Sequence, residues 1–137
     1  MTVEEQLLKL PEMRQAIRAK ERHLRELREM VDGIGAQVIT DMPRAPSQIG
    51  GGLWARADKI LDLEKEIAEM RANLDYVIVR LLDYIFELDE KESAVIAERH
   101  IRGKSWEQIA DEMNCTKRCC QSHGSRGLAR LAQRSFI

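Results

Sequence analysis

Apolar residues in the first quarter of the chain recur at alternating steps of three and four. The series is Leu10, Met13, Ile17, Leu24, Leu27, Val31 and Ile34, and Lys20 occupies the one step without an apolar side chain. A seam of this kind, sustained over more than three heptads, is typical of a helix that packs against another helix. Because Gly33 and Gly35 follow, we expect the helix to end near Val31–Asp32.

A second seam with the same spacing occupies the middle of the chain. It consists of Ile60, Leu63, Ile67, Met70, Leu74, Val77, Leu81, Tyr84 and Leu88. Between the seams lies the stretch MPRAPSQIGGG (42–52), whose two prolines and three consecutive glycines predict an exposed loop over about 36–52. Two long amphipathic helices joined by a loop are expected to fold back as an antiparallel hairpin, or to pair between subunits. We therefore predict a coiled-coil hairpin over 1–88 that serves oligomerisation or partner binding.

After residue 88 the pattern changes to short helices with recognisable caps. Asp89 followed by Glu92 predicts a capping box for a helix over roughly 90–101. Ser105 followed by Gln108 predicts a second capping box. The helix that begins there has an apolar face formed by Trp106, Ile109, Ala110 and Met113.

One further helix is predicted before the end of the chain. Asn114 suits a left-handed helix end, and Thr116 suits the cap of the final helix. The inward positions of that helix are expected to be Cys120, His123, Gly127, Leu128 and Leu131. A helix, a turn of three to four residues and a second helix are typical of a helix-turn-helix. The sequence thus predicts an all-α protein in which 89–137 form a helix-turn-helix domain.

The stretch from Leu88 to Leu131 resembles region 4 of bacterial sigma factors and the related output domains of response regulators. The matching residues are the leading LDEKE, the apolar Val95 and Ile96, the stretches GKS and WEQIA, the cap Thr116 and the closing RGLARL. The whole chain is similar to phage-encoded transcriptional regulators of Gram-positive hosts, of the late-gene activator type, because the MPR and PS residues of the 42–52 loop match as well. The resemblance implies a DNA-binding helix-turn-helix that acts at a promoter.

Three residues depart from the pattern of this family. Cys120 stands where a β-branched residue is usual, Gly127 stands where alanine is usual, and Gly124 lies in the middle of the last helix. A glycine in a helix interior costs about 0.5–1 kcal/mol relative to alanine. We therefore expect the last helix to be loose or kinked until DNA holds it.

The basic residues of the last helix are the candidate DNA-binding groups. The second helix of a helix-turn-helix enters the major groove, with its N-terminal residues at the base edges. The candidates for base contact are Lys117, Arg118, Gln121 and Ser122, next to the cap Thr116. Arg126, Arg130 and Arg134 recur every four residues and are candidates for phosphate contact, as are Lys104 and the amide groups at the start of the Ser105 helix. The alternative for each is an ordinary solvated side chain, and for Lys104 that alternative is favoured.

The charge distribution supports a polyanionic partner at one end of the chain. Residues 1–90 carry 13 Lys and Arg against 18 Asp and Glu, a net −5, whereas residues 91–137 carry nine against five, a net +4. After Glu112 the chain has five basic residues and no acidic one. The expected partner of this end is double-stranded DNA.

The cysteines raise the alternative of a metal site. Cys115, Cys119 and His123 follow one another at steps of four, which on one continuous helix would make a three-ligand face. Cys115, however, precedes the helix cap, and no paired CxxC motif or second ligand cluster is present. The sequence therefore predicts no metal, no cofactor and reduced thiols, with Cys120 as a small core residue. It shows no phosphate loop, carboxylate pair or triad, so no enzymatic activity is expected.

These features favour a sequence-specific transcription regulator, expected to be a homodimer, for which host RNA polymerase is a further candidate partner. A phage small terminase subunit, which combines a helix-turn-helix with ring assembly, is the alternative. A third hypothesis is a module that binds polymerase and never DNA. No run of 18 apolar residues and no signal-like N-terminus occurs, so the expected location is the cytoplasm, at the nucleoid of a bacterial host.

Overall fold

The computed structural model describes the backbone of residues 1–40 and 46–137 and the side chains of residues 1–32 and 54–137. The described part is helical apart from turns and one isolated bridge between Thr2 and Ser135. The helices are α1 (Val3–Leu8), α2 (Leu10–Thr40), α3 (Pro46–Ile85), α4 (Glu90–Ile96), α5 (Trp106–Met113) and α6 (Lys117–Leu131). A π-helical turn, Ala97–Ile101, continues α4. The predicted all-α class is confirmed.

Helix α2 continues to Thr40, so the prediction that it ends near Val31–Asp32 is wrong. Glycine weakens a helix by about 1 kcal/mol relative to alanine but does not forbid it, and α2 runs through both of its glycines. Helix α3 likewise begins at Pro46, because a proline in the first helical position lacks only an N–H that has no partner there. The loop predicted over about 36–52 is therefore wrong for 36–40 and 46–52, which are helical. The backbone of 41–45 and the side chains of 33–53 lie outside the described residues.

The short helix α1 was not predicted from the seams. Its cap is reciprocal: Thr2 Oγ1 accepts a hydrogen bond from Glu5 N (3.2 Å), and the Glu5 carboxylate accepts one from Thr2 N (3.1 Å). Val3 and Leu7 of this helix are completely buried. Helix α1 is therefore an element of the core and not a frayed extension of α2.

The chain forms two compact units, of which the second is Arg14–Asn73. In this unit α2 and α3 pair through the buried Leu24, Leu27, Leu63 and Ile67. Ion pairs flank the apolar contact: Lys20–Glu66, Arg71–Glu21 and Arg28–Glu64. Arg28 of α2 pairs with Glu64 of α3, whereas Glu21, two turns earlier in α2, pairs with Arg71, later in α3. This order is that of an antiparallel hairpin, and the predicted hairpin is confirmed. The exposed ion pairs each contribute at most about 1 kcal/mol, so the apolar contact dominates the pairing.

The first unit combines Met1–Met13 with Leu74–Ile137. Its main core contains Val3, Leu7, Leu10, Val77, Leu81, Ile85, Ile96 and Leu131. Backbone hydrogen bonds join the two ends of the chain, from Val3 N to Arg134 O (2.9 Å) and from Phe136 N to Met1 O (2.9 Å). The predicted boundary at residue 88, between a partner-binding hairpin and a DNA-binding domain, stays a prediction. The first unit contains residues from both sides of that boundary.

A smaller core in the first unit holds the last helices together. Val95, Ile109 and Cys120 are completely buried in it. Trp106, Ala110, Met113 and Cys115 pack around these three residues. This core fixes α5 and α6 on α4 and so sets the orientation of the candidate site.

Candidate nucleic-acid interface

The turn between α5 and α6 has the caps that the sequence predicts. Ser105 and Gln108 form a reciprocal capping box, with N···O distances of 3.2 and 3.0 Å. Asn114 adopts the left-handed conformation, with φ 52° and ψ 44°. Thr116 Oγ1 accepts a hydrogen bond from Cys119 N at 3.1 Å. Together these contacts end α5 and start α6 within three residues, which is the geometry of a helix-turn-helix.

The capping box predicted at Asp89 does not form. Asp89 is the cap residue of α4, but its side chain accepts no capping hydrogen bond. Glu92 is only 3% exposed and lies 3.2 Å from Arg130, so its carboxylate faces α6 and does not turn back to the cap. Glu92 thus pairs with Arg130 of α6 and does not form the predicted capping hydrogen bond with Asp89.

The glycines of α6 lie where neighbouring helices come closest. Helix α6 is continuous from Lys117 to Leu131 and is not interrupted at Gly124 or Gly127. A Cβ atom on Gly124 would lie 3.0 Å from Trp106 Cη2. One on Gly127 would overlap Ile96 Cδ1 and lie 3.3 Å from Ile96 Cγ1. A methyl group at Gly127 would therefore need Ile96 to move, and one at Gly124 would press on Trp106. The inward position expected for His123 is occupied by the buried Gly124 instead.

The face of α6 that points away from the core is defined by Arg118, Ser122, Ser125 and Ala129. All four side chains are exposed, and their steps of four, three and four place them on one side of the helix. Gln121, half-buried, lies beside them. We call these four residues the outer face of α6. Ser125 was not among the predicted site residues, although the same spacing rule applied from Arg118 would have found it.

The predicted base-contacting residues differ in their partners. Lys117 Nζ lies 2.8 Å from Glu107 Oε1, and this hydrogen bond lowers the pKa of the Glu107 carboxyl. Arg126 donates a hydrogen bond to Ser122 Oγ (3.2 Å). Arg118 forms none of the ion pairs found among the described residues. Its guanidinium is available at the N-terminal end of the outer face.

The three arginines spaced by four do not share one environment. A step of four advances 400° around a helix, so Arg130 lies about 40° further round α6 than Arg126, and Arg134 lies beyond the end of α6. Arg126 borders the outer face, whereas Arg130 lies within 3.3 Å of both Asp89 and Glu92. Arg134 pairs with Glu87 and lies over the Tyr84 ring. Phosphate contact by Arg130 and Arg134 stays a prediction, and it would have to compete with these carboxylates.

Lys104 is held by two carboxylates. Its Nζ lies 2.6 Å from Glu98 Oε2 and 2.9 Å from Glu112 Oε1. The hydrogen bond to Glu98, followed by that to Glu112, raises the pKa of Lys104. A phosphate at the start of α5 would therefore have to compete with Glu98 and Glu112 for the Lys104 ammonium group. The phosphate contact of Lys104 stays a prediction.

The cysteines do not converge in the way that metal binding would need. Cys120 is completely buried, Cys119 is exposed and His123 is half-buried. Across the residues whose side chains are described, no group of three or more His, Cys, Asp or Glu is placed to hold a metal ion. The closest approach is between Cys115 Sγ and Cys120 Sγ, at 2.8 Å. Sequence spacing had grouped Cys115 with Cys119 and His123, but not with Cys120.

Residues 78–131 match the family model of sigma-70, region 4. The matched stretch runs from the last turns of α3 through α6 and includes the helix-turn-helix. No curated protein and no solved structure matches the chain. None of the helices in the described ranges is long and apolar enough to cross a membrane. The predicted resemblance is confirmed for a C-terminal sigma-region-4-like domain, a type of domain that indicates DNA binding through a helix-turn-helix.

Proposed function

We propose that the protein is a sequence-specific transcription regulator, a phage-encoded activator that acts at promoters in the cytoplasm of a Gram-positive host, at the nucleoid. The observation that carries the proposal is the exposed Arg118 on the outer face of α6, inside a segment that matches sigma-70 region 4. A guanidinium at the start of a recognition helix suits bidentate contact with guanine.

The chemistry of the outer face supports major-groove binding. Arg118 has the position for a guanine, and the neighbouring Gln121 amide has the donor and acceptor for an adenine. Ser122, Ser125 and Ala129 are small, so the helix backbone can approach the base edges closely. Lys117 and Arg126 flank this face and suit the phosphates on either side.

Selection from a random duplex pool tests this proposal. The DNA retained by the protein is sequenced, and affinity for the enriched duplex is compared with affinity for a scrambled one at two salt concentrations. We expect enrichment of one motif and a preference of at least about a thousandfold at physiological salt. Salt-dependent binding without any enriched motif would contradict sequence-specific regulation. The complete absence of binding to duplex would favour a module that acts only on polymerase.

We also propose that the hairpin of α2 and α3 is a coiled coil that makes the protein a homodimer. Trp54 and Leu61 of α3 are 71% and 63% exposed and lie seven residues apart, on one side of the helix. Two half-sites bound by a dimer would add specificity that one small helix-turn-helix lacks.

Mass measurement in solution, by sedimentation or light scattering, separates this assembly from DNA packaging. A dimer supports the proposal. A monomer would contradict the homodimer but leave promoter binding in place. A ring of eight or more subunits would instead favour a small terminase subunit.

Contact with host RNA polymerase is the remaining part of the proposal. Support comes from the match to region 4 of a polymerase subunit. Purified polymerase from the host class should bind the immobilised full chain, with and without promoter DNA. Failure to bind under both conditions would remove the polymerase contact from the proposed mechanism and leave DNA binding unaffected.

A further inference from the structure

Two of the three cysteines, Cys115 and Cys120, lie next to each other at the start of α6. Thr116 is the cap residue, so Cys115 precedes the cap and Cys120 is the fourth residue of the helix. Residues in these two positions commonly pack against each other and form what is called a hydrophobic staple. Here both positions hold thiols, and the sulfur atoms lie 2.8 Å apart. A disulfide bond has a length of about 2.05 Å, so only a small movement separates the two atoms from bonding distance.

The third cysteine cannot replace either partner without rebuilding the helix. Cys119 is one residue before Cys120, and consecutive residues of an α-helix point about 100° apart. Accordingly, Cys119 is exposed on the surface while Cys120 is completely buried against Val95 and Ile109. The geometry selects one pair among the three thiols.

We propose that Cys115 and Cys120 are a site of reversible oxidation, at which a peroxide converts the two thiols into an intramolecular disulfide. In the first step the Cys115 sulfur attacks the peroxide, forms a sulfenic acid and releases one water from hydrogen peroxide. In the second step the Cys120 sulfur attacks that sulfenic acid, the S–S bond forms and a second water leaves. Two electrons pass from the thiols to the peroxide, and a low-molecular-weight thiol returns them by disulfide exchange.

The environments of the two sulfurs support this order of steps. Cys115 is partly exposed in the turn, where a small oxidant can reach it, whereas Cys120 has no exposed surface. Burial, followed by the contact with Cys115, raises the pKa of the Cys120 thiol to about 11. Cys120 therefore carries little thiolate near neutral pH and is not the sulfur that a peroxide reacts with first. Its attack on the sulfenic acid is favoured instead by proximity, because the two sulfur atoms lie 2.8 Å apart.

The disulfide would enclose the residues that begin the recognition helix. Thr116, Lys117, Arg118 and Cys119 lie between the two joined cysteines. The bond would limit the freedom of this turn in the unfolded chain and so raise the midpoint of thermal unfolding. It would also connect the oxidation state to the segment that carries Arg118. The chemistry itself does not depend on what the protein binds.

Peptide mapping of the full-length Cys119→Ser protein tests the proposal. Trypsin cuts after Lys104, Lys117, Arg118 and Arg126, so Cys115 and Cys120 fall in different peptides, 105–117 and 119–126. After stoichiometric hydrogen peroxide and alkylation, we expect these peptides to be joined, with a mass about 2 Da below the sum of the two thiol forms. Dithiothreitol should release them, and the oxidised protein should unfold at a higher temperature than the reduced one.

The Cys115→Ser protein is the matched control, because it removes the partly exposed partner and keeps Cys120 in the core. It should form no intramolecular disulfide. A bond between Cys119 and Cys120 in this control would overturn the assignment. So would two thiols that remain fully alkylatable in the oxidised Cys119→Ser protein, or oxidation that yields only sulfinic acid or linked dimers.

Discussion

At the scale of single residues, Gly127 shows how the packing of α6 depends on a missing methyl group. Replacing it with alanine would favour the helix by about 1 kcal/mol through propensity alone. The added Cβ, however, would overlap Ile96 Cδ1 in a core where Ile96 has no exposed surface. Overpacking of this kind costs about 1–3 kcal/mol. The cost of overpacking outweighs the gain in propensity, and we predict that Gly127→Ala lowers the free energy of unfolding by up to about 2 kcal/mol, measured by urea denaturation followed by circular dichroism.

Ile96→Val provides the matched control for this prediction, since it removes the Cδ1 atom that the new methyl group would meet. Alone it should cost about 0.5–1.5 kcal/mol. Combined with Gly127→Ala it should cost less than the sum of the two single changes. Additive costs would show that the overlap between these residues is not what makes glycine necessary.

His100 makes the stability of the first unit depend on pH. Burial, with a smaller contribution from the neighbouring Arg99, lowers the pKa of His100 from its ordinary value of 6.5. The folded protein therefore prefers the neutral imidazole, and the unfolded chain binds a proton first as the pH falls. Stability should be complete above about pH 7.5 and should decline as the pH falls through 6.5.

The measurement that checks this dependence is the free energy of unfolding at pH 7.5, 6.5 and 5.5. The decline should be present in the wild type and reduced in His100→Gln, while His23→Gln, which changes an exposed histidine of α2, should keep it. If the free energy of unfolding falls equally with pH in all three proteins, groups other than His100 are responsible for the pH dependence.

At the scale of elements, the arginines of α6 are expected to have different roles: Arg118 contacts a base, whereas Arg130 also stabilises the fold. Arg118→Ala should weaken binding to the selected duplex by about 5- to 150-fold, corresponding to 1–3 kcal/mol, and should leave binding to scrambled duplex nearly unchanged. Fluorescence anisotropy with both duplexes measures this ratio. Arg25→Ala, which removes an exposed arginine of α2, is the control for lost charge and should change neither affinity.

Arg130→Ala is expected to act differently, because Arg130 is the cation beside the buried Glu92. It should weaken binding to all duplexes alike and reduce the salt dependence by about one phosphate contact. It should also lower the unfolding free energy, since a nearly buried carboxylate loses its partner. Unchanged stability in this variant, with duplex binding weakened, would mean that the guanidinium serves DNA alone.

Sequence periodicity and caps predicted most elements of the fold, because both are local signals. The seams located α2 and α3, and the Ser105, Asn114 and Thr116 signals located the boundaries of α5 and α6. The far end of α2 was missed because glycine penalties are small and were treated as decisive. The partners of Glu92 and Arg130 could not be predicted, because their contact joins α4 to α6 across the core. The Cys115–Cys120 contact also required the geometry of the turn.

At the scale of the whole molecule, the first unit draws its core from distant parts of the chain. Residues from α1, the start of α2 and the end of α3 pack around Ile96 and Leu131. We predict that residues 1–13 and 74–137, joined by a short glycine-serine linker, unfold cooperatively as one unit. Residues 89–137 alone should not, because they leave that apolar surface in water.

Thermal denaturation of the two fragments, followed by circular dichroism, checks this prediction. A cooperative transition in 89–137 would show that the helix-turn-helix is independent of the N-terminal residues. A non-cooperative transition in the joined fragment would show that the first unit needs the hairpin of Arg14–Asn73.

The hydrogen bond from Val3 N to Arg134 O sets an order of events on the ribosome. Translation adds roughly 5–20 residues per second, so α1 emerges several seconds before α6 and Arg134, against which it packs. During that interval Val3 and Leu7, which are buried in the folded protein, lack their packing partners and stay accessible to chaperones. The hairpin, whose two helices are adjacent in the chain, can form first, and the first unit is completed only after α6 and Arg134 have left the exit tunnel.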